Sequence, residues 1–230
     1  MEYELPYDAF LRALKQNTDT SHVVLLGAGA SISSGIQSAA DCIWEWKKNI
    51  FLSQNPHLPK EYNEYKSETV QRSVQKWLDI KGRFPKEGAS EEYSFYAQEA
   101  YPIEDIRRKY FQNICLNKIP HTGYMILCLL AKFQMVKSVF TTNFDGLVEK
   151  AAHLTNITPF AVSLANPQEI HRAESKDHVL TIALHGDFKY GPLKNTEQEL
   201  DAQHQIFAQA LTDHLKNKHL IVCGYSGRDK

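Results

Sequence analysis

At 230 residues, 43% hydrophobic and 23% charged, the chain has the size and composition of one large folded globular domain. Its 26 Lys plus Arg balance 27 Asp plus Glu to a net charge of −1, which removes any bulk electrostatic case for a nucleic-acid or other polyanion partner. No apolar run approaches the roughly 18–20 residues of a membrane span, and the acidic start Met1-Glu2-Tyr3-Glu4 lacks a signal peptide's basic and apolar regions, so the expected compartment is the cytoplasm.

Taken in order, Pro6 to Leu14 reads as a first helix, with Tyr7, Phe10, Leu11 and Leu14 at i, i+3, i+4 and i+7. Val23 to Leu26 is a short apolar run, half of it β-branched, which predicts a buried parallel strand. It runs straight into Gly27-Ala28-Gly29-Ala30-Ser31, with Gly35 beyond. Glycines directly after a strand allow a sharp turn and close approach of a ligand. If a helix starts there, its free N–H groups favour a phosphate. The alternative is an ordinary strand-to-helix turn that uses glycine for geometry. Asp41 is expected to cap a helix over 42–48.

Between 50 and 120 the character changes. Asn55-Pro56, Leu58-Pro59, Phe84-Pro85 and Tyr101-Pro102 punctuate helical segments expected at Glu61–Ile80, Glu91–Ala100 and Ile103–Asn117, with no strand-like alternation. This predicts a helical insertion over 50–120, placed after the first strand. Its aromatics Tyr93, Phe95, Tyr96, Tyr101, Tyr110 and Phe111 are expected to form its own core, with a pocket lining as the alternative.

After Pro120, helix and strand alternate: helix Tyr124–Phe133, strand Val136–Thr141, helix Leu147–Leu154, strand Phe160–Leu164, helix Pro167–Ala173, strand Val179–Leu184, helix Glu199–Leu215 and strand Leu220–Cys223. The expected fold is α/β: a Rossmann-like parallel sheet with helices on both faces, built from 1–49 and 121–230 within a single domain of 1–230. Lys230 follows the last strand and loop with no closing helix, which predicts a piece of a longer chain. The cysteines, Cys42, Cys115, Cys128 and Cys223, are scattered, form no Cys-x-x-Cys pair, and read as buried reduced thiols with no zinc site.

In parallel sheets, ligands bind beyond the carboxyl ends of the strands. Polar residues and glycine gather there: Gly27–Ser31, Thr141-Thr142-Asn143-Phe144-Asp145, His185-Gly186-Asp187 and Gly224-Tyr225-Ser226. Asn143 can donate and accept at once, which suits a ribose hydroxyl or a water; capping of the next helix is the alternative for Asn143 and Asp145. His185 is placed to act as a base near neutral pH, or is simply structural.

These four segments, in this order, resemble the sirtuin superfamily, with its Gly-Ala-Gly-x-Ser loop, Thr-Gln-Asn-x-Asp segment, His-Gly pair and late Gly-x-Ser. The match spans 23 to 227. Two deacylase features are missing: Gly35-Ile36 continues as Gln37-Ser38-Ala39-Ala40 in place of Pro-x-Phe-Arg, and the paired Cys-x-x-Cys zinc module is absent. The pattern is closer to bacterial sirtuin-like domains of anti-phage defence, which hydrolyse NAD. The resemblance implies NAD as substrate without a metal, and a homo-oligomer or a larger assembly with an Argonaute-type or ATPase partner. It implies Asn143, His185 and Asp145 as catalytic residues. Gly27, Ala28, Gly29, Ser31, Gly35, Thr142, Gly224 and Ser226 would bind NAD. An NAD-dependent protein deacylase and a non-catalytic module binding NAD or ADP-ribose are the alternatives.

Overall fold

Residues 4–16, 21–162, 178–184, 212 and 214–227 are described by the structure, a computed structural model of the chain. The strands are β1 (His22–Leu26), β2 (Val136–Thr141), β3 (Thr158–Val162), β4 (His178–Ala183) and β5 (His219–Cys223). The helices are α1 (Tyr7–Gln16), α2 (Ala39–Gln54), α3 (Glu68–Lys81), α4 (Glu92–Ala100), α5 (Glu104–Cys115), α6 (Thr122–Lys132) and α7 (Leu147–Leu154). Every strand pair is parallel and the order is β3-β4-β2-β1-β5. The chain leaves β1 towards β2 and returns as β5 on the far side of β1. That reversal makes the carboxyl end of β1 the switch point where an open parallel sheet forms its ligand crevice.

Alternation along the strands separates two apolar layers. Val24, Leu26, Val139 and Val179 face one side, packed with Leu127, Cys128 and Ala131 of α6 and Leu147, Val148, Ala151 and Ala152 of α7. Val23, Phe140, Leu180 and Ile182 face the other, with Leu215 against them. There Ser138 Oγ is 2.6 Å from Nε2 of His214, which gives a polar group inside a central strand its partner. The sheet is thus the α/β parallel arrangement expected from the alternation of elements. β3 sits two residues earlier than expected and includes Pro159, which an edge strand tolerates because it gives up no central ladder bond.

A second core joins α2 to α5. Trp46, Tyr96, Val74, Leu78 and Phe111 are almost fully buried in it, so these aromatics are insertion core. α2 runs through position 50, and its Cys42, Ile43 and Trp46 belong to this second cluster. α2 itself starts earlier than expected. Ser38 is its cap, accepting from Asp41 N–H, while Asp41 sits at the third helical position and accepts in return from Ser38 N–H. This reciprocal box satisfies two donors that Asp41 alone would leave open. α3 is shorter than expected, preceded by a 3₁₀ turn at Lys60–Asn63.

α1 forms where its periodicity predicts, yet none of its residues is buried; Tyr7 is 73% exposed. Cys42, Cys115 and Cys128 are buried as expected, but Cys223, at the end of an edge strand, is exposed. No helix among the described residues is long and apolar enough to cross a membrane. The expected helix Pro167–Ala173 and most of the one at Glu199–Leu215 lie outside the described residues.

Candidate functional site

The loop after β1 does not open a long helix. It forms a seven-residue 3₁₀ segment, Ala28–Ser34, closed by Gly35 in the left-handed conformation. A 3₁₀ segment repeats every three residues, so Ser31 and Ser34 stand on one face. Both reach the start of α6. Ser34 Oγ accepts from His121 N–H at 2.9 Å, and Ser31 Oγ lies 3.1 Å from the Tyr124 hydroxyl.

Ser31 is also the hub of the site. Its Oγ donates to Asp145 Oδ2 at 2.5 Å and accepts from Asn143 Nδ2 at 3.0 Å. Asn143 Nδ2 donates to Gly27 O as well, at 2.9 Å, and Asn143 N–H is held by Thr141 Oγ1 at 2.9 Å. Asp145 Oδ1 accepts from Leu147 N–H at 2.9 Å and so starts α7 after Gly146. The carboxylate is 6% exposed and has both oxygens engaged. Phe144, between the two, turns the other way and meets Phe111 edge to face at 4.5 Å, fastening the loop to the insertion.

The glycines have a partner that the sequence does not name. Gly27 N–H donates to Cys223 O and Gly29 N–H to Gly224 O, both at 2.9 Å. The loops after β1 and β5 therefore cross backbone on backbone. A Cβ on Gly29 would meet Gly224 Cα and O at 2.9 Å, so the crossing itself requires the missing side chains. Of the turn's first donors, Ala28 N–H meets no acceptor among the described residues.

Gly27, Gly29, Ser31, Asn143, Asp145 and Gly224 thus come together, and Ala28 sits at the turn. Thr142 continues the ladder, its N–H donating to Leu26 O. Gly35 serves a turn and Ser226 is exposed. His185 lies outside the described residues; Leu184, just before it, donates its N–H to Thr141 O at 2.7 Å. Tyr124 was missed because the apolar run of α6 makes it look like another core residue. Its one signal is a hydroxyl in the first turn, on the sheet-facing side. Burial, and then the charge of Asp145, raise its pKa, so it keeps its proton. Among the described residues, no three His, Cys, Asp or Glu side chains gather as a metal site needs.

Burial pushes the Cys42 and Cys128 thiols up to about 12. A thiol with a pKa near 12 is thiolate only on the order of once in ten thousand at pH 8, so iodoacetamide is expected to alkylate Cys223 in the native protein and spare the other three. Peptide mass spectrometry before and after denaturation reads this directly. Both thiols ionise from 9.0 when unfolded and about 12 when folded, so the stability they carry is intact below pH 9 and falls as pH climbs towards 12.

No curated protein matches the chain. Similar solved structures include Sir2 with the inhibitor EX-527, 2'-O-acetyl-ADP-ribose and a deacetylated p53 peptide, at 18% identity over 78% of this chain and 45% of that one, TM-score 0.33. A second is Sir2 with p53 peptide and NAD+, at 18% identity over 80% of this chain and 47% of that one, TM-score 0.33. A third is Sir2 bound to acetylated peptide, at 17% identity over 80% and 47%, TM-score 0.34. The chain spans about half the length of these proteins. Residues 137–230, which carry Asn143, Asp145, His185 and Gly224, match the family model of the SIR2-like domain.

Proposed function

We propose that the chain hydrolyses NAD at the nicotinamide–ribose bond, releasing nicotinamide and ADP-ribose. The observation that carries this reading is the Asn143 carboxamide at the switch point. Its NH2 is held by Gly27 O and Ser31 Oγ, and its Oδ1 accepts nothing from the described residues. A fixed acceptor there suits a ribose hydroxyl or the attacking water. The match to the SIR2-like domain supports NAD as the ligand.

When the C1'–N bond breaks, the electron pair leaves with nicotinamide and neutralises its ring. Positive charge passes to the ribose as an oxocarbenium-like centre. Water then adds at C1' and loses a proton. In this reading Asn143 orients the water or the ribose, and His185 engages the ribose hydroxyls and takes the proton. Asp145, with both oxygens occupied, works by holding Ser31 and the start of α7. The diphosphate lies along Gly27, Ala28 and Gly29, with Ala28 N–H as the open donor, and the adenosine half towards Gly224 and Ser226. Depletion of NAD in anti-phage defence, within an oligomer or a larger cytoplasmic assembly, is the role we assign on the resemblance to such domains.

Purified protein mixed with NAD is expected to release nicotinamide, followed by chromatography. Asn143→Ala and His185→Ala should each slow release by about 100-fold or more. Parent rates in both variants overturn the roles. Turnover that requires an acyl-lysine peptide indicates a deacylase, and saturable binding without release indicates a binding module.

A further inference from the structure

Ser31 Oγ has three polar neighbours and only one proton, and this arithmetic fixes the direction of every bond around it. A hydroxyl offers one donor and two lone pairs. The Asp145 carboxylate only accepts, so it takes the Ser31 proton. The Asn143 NH2 only donates, so it takes one lone pair. One lone pair remains, and the Tyr124 hydroxyl at 3.1 Å fills it as a donor. The second Asn143 amide proton goes to Gly27 O, and the NH2 group also lies against the Tyr124 hydroxyl. Turned over, the amide would set Oδ1 against the Gly27 carbonyl oxygen and against a serine whose proton is already used.

We propose that Tyr124 is a positioning residue which, through Ser31 and through its own contact with the amide, keeps the Asn143 carboxamide one way round, so that Oδ1 and not the NH2 group meets the ligand. Its consequence for turnover rests on the NAD-cleaving reading above; the locking of the amide does not. Tyr124 is well set for the task. It is 5% exposed, its helix is tied to the same 3₁₀ segment through Ser34 and His121, and loss of its proton is opposed by burial and by Asp145. Without the Tyr124 hydroxyl, Ser31 Oγ, in a residue only 2% exposed, is left with an unfilled lone pair, and the serine hydroxyl is free to leave the amide.

Tyr124→Phe removes one oxygen and keeps the ring. Hydrogen exchange of the Asn143 side-chain amide, assigned by its absence in Asn143→Ala, is read by 15N NMR. In Tyr124→Phe it is expected to quicken about five- to tenfold, the worth of one hydrogen bond. In the assay, kcat for nicotinamide release should fall about tenfold with KM within about twofold, and that fall should vanish in the Asn143→Ala background. Unchanged amide exchange, or an equal fall in both backgrounds, overturns the inference. Should the variant not fold, the parent decides. Its Asn143 amide is expected to exchange at least about tenfold more slowly than that of exposed Asn63, and equal rates overturn the lock. Faster exchange in Tyr124→Phe with no nicotinamide released even by the parent supports the lock and overturns the proposed reaction, so the two failures are distinct.

Discussion

Gly224→Ala is expected to lower the unfolding temperature by about 6–12 °C, the equivalent of roughly 3 kcal/mol in a chain of this size. Two effects add. Gly224 has φ +66°, where an L side chain costs about 1–2 kcal/mol. A Cβ there would also press on Ala30 N and come within 2.7 Å of Gly29 C. Both are backbone atoms with nowhere to turn, and overpacking of this kind costs roughly 1–3 kcal/mol. Relief requires the two loops to part, which breaks the Gly29 N–H to Gly224 O bond and shifts the segment that carries Ser31. Nicotinamide release should fall with it. Gly227→Ala is the control: φ is +68°, but nothing lies within 4 Å of the added carbon. It should lose only the backbone part, about 1–2 kcal/mol. Equal shifts in differential scanning calorimetry would show that the crossing is not tight.

Lys47→Ala and Glu92→Ala should each cost more still, about 3–5 kcal/mol, because each strands a buried charge. Lys47 is 1% exposed; its Nζ lies 2.5 Å from Glu92 Oε1 and 3.0 Å from Gln75 Oε1, with the Trp44 ring 4.5 Å away. Glu92 Oε2 accepts from Gly88 N–H at 2.7 Å. The pair ties α2 to α4 in the middle of the insertion. Replacing both members, as Lys47→Met with Glu92→Leu, is expected to recover most of the loss, since the desolvation cost goes with the charges. Urea titration of the two singles and the double forms a complete cycle. A double variant as unstable as either single would mean that shape, not charge, governs the site. Because Phe111 of the same core holds Phe144, the single variants should also slow nicotinamide release.

Much of this architecture is legible along the chain. β2 and α7 fall on the bounds that alternation and helical periodicity predict, and the helices of the insertion follow their own apolar spacing. The crowding of Gly27, Ser31, Asn143, Asp145 and Gly224 just after strands is legible too, because a parallel sheet carries every strand end to one edge. Those features are local, or follow from one rule of topology.

Partners are another matter. Which glycine crosses which depends on β5 pairing with β1, nearly two hundred positions along the chain, and no periodicity records that. Ser38, not Asp41, caps α2, since the choice turns on where the backbone leaves the 3₁₀ segment. α1 has an amphipathic pattern, yet the structure buries none of its residues fully. Tyr124 looks like core in an apolar helix. Only its distance to Ser31, across 93 residues, turns it into a hydrogen-bond donor, because a buried hydroxyl's direction depends on what else surrounds its acceptor.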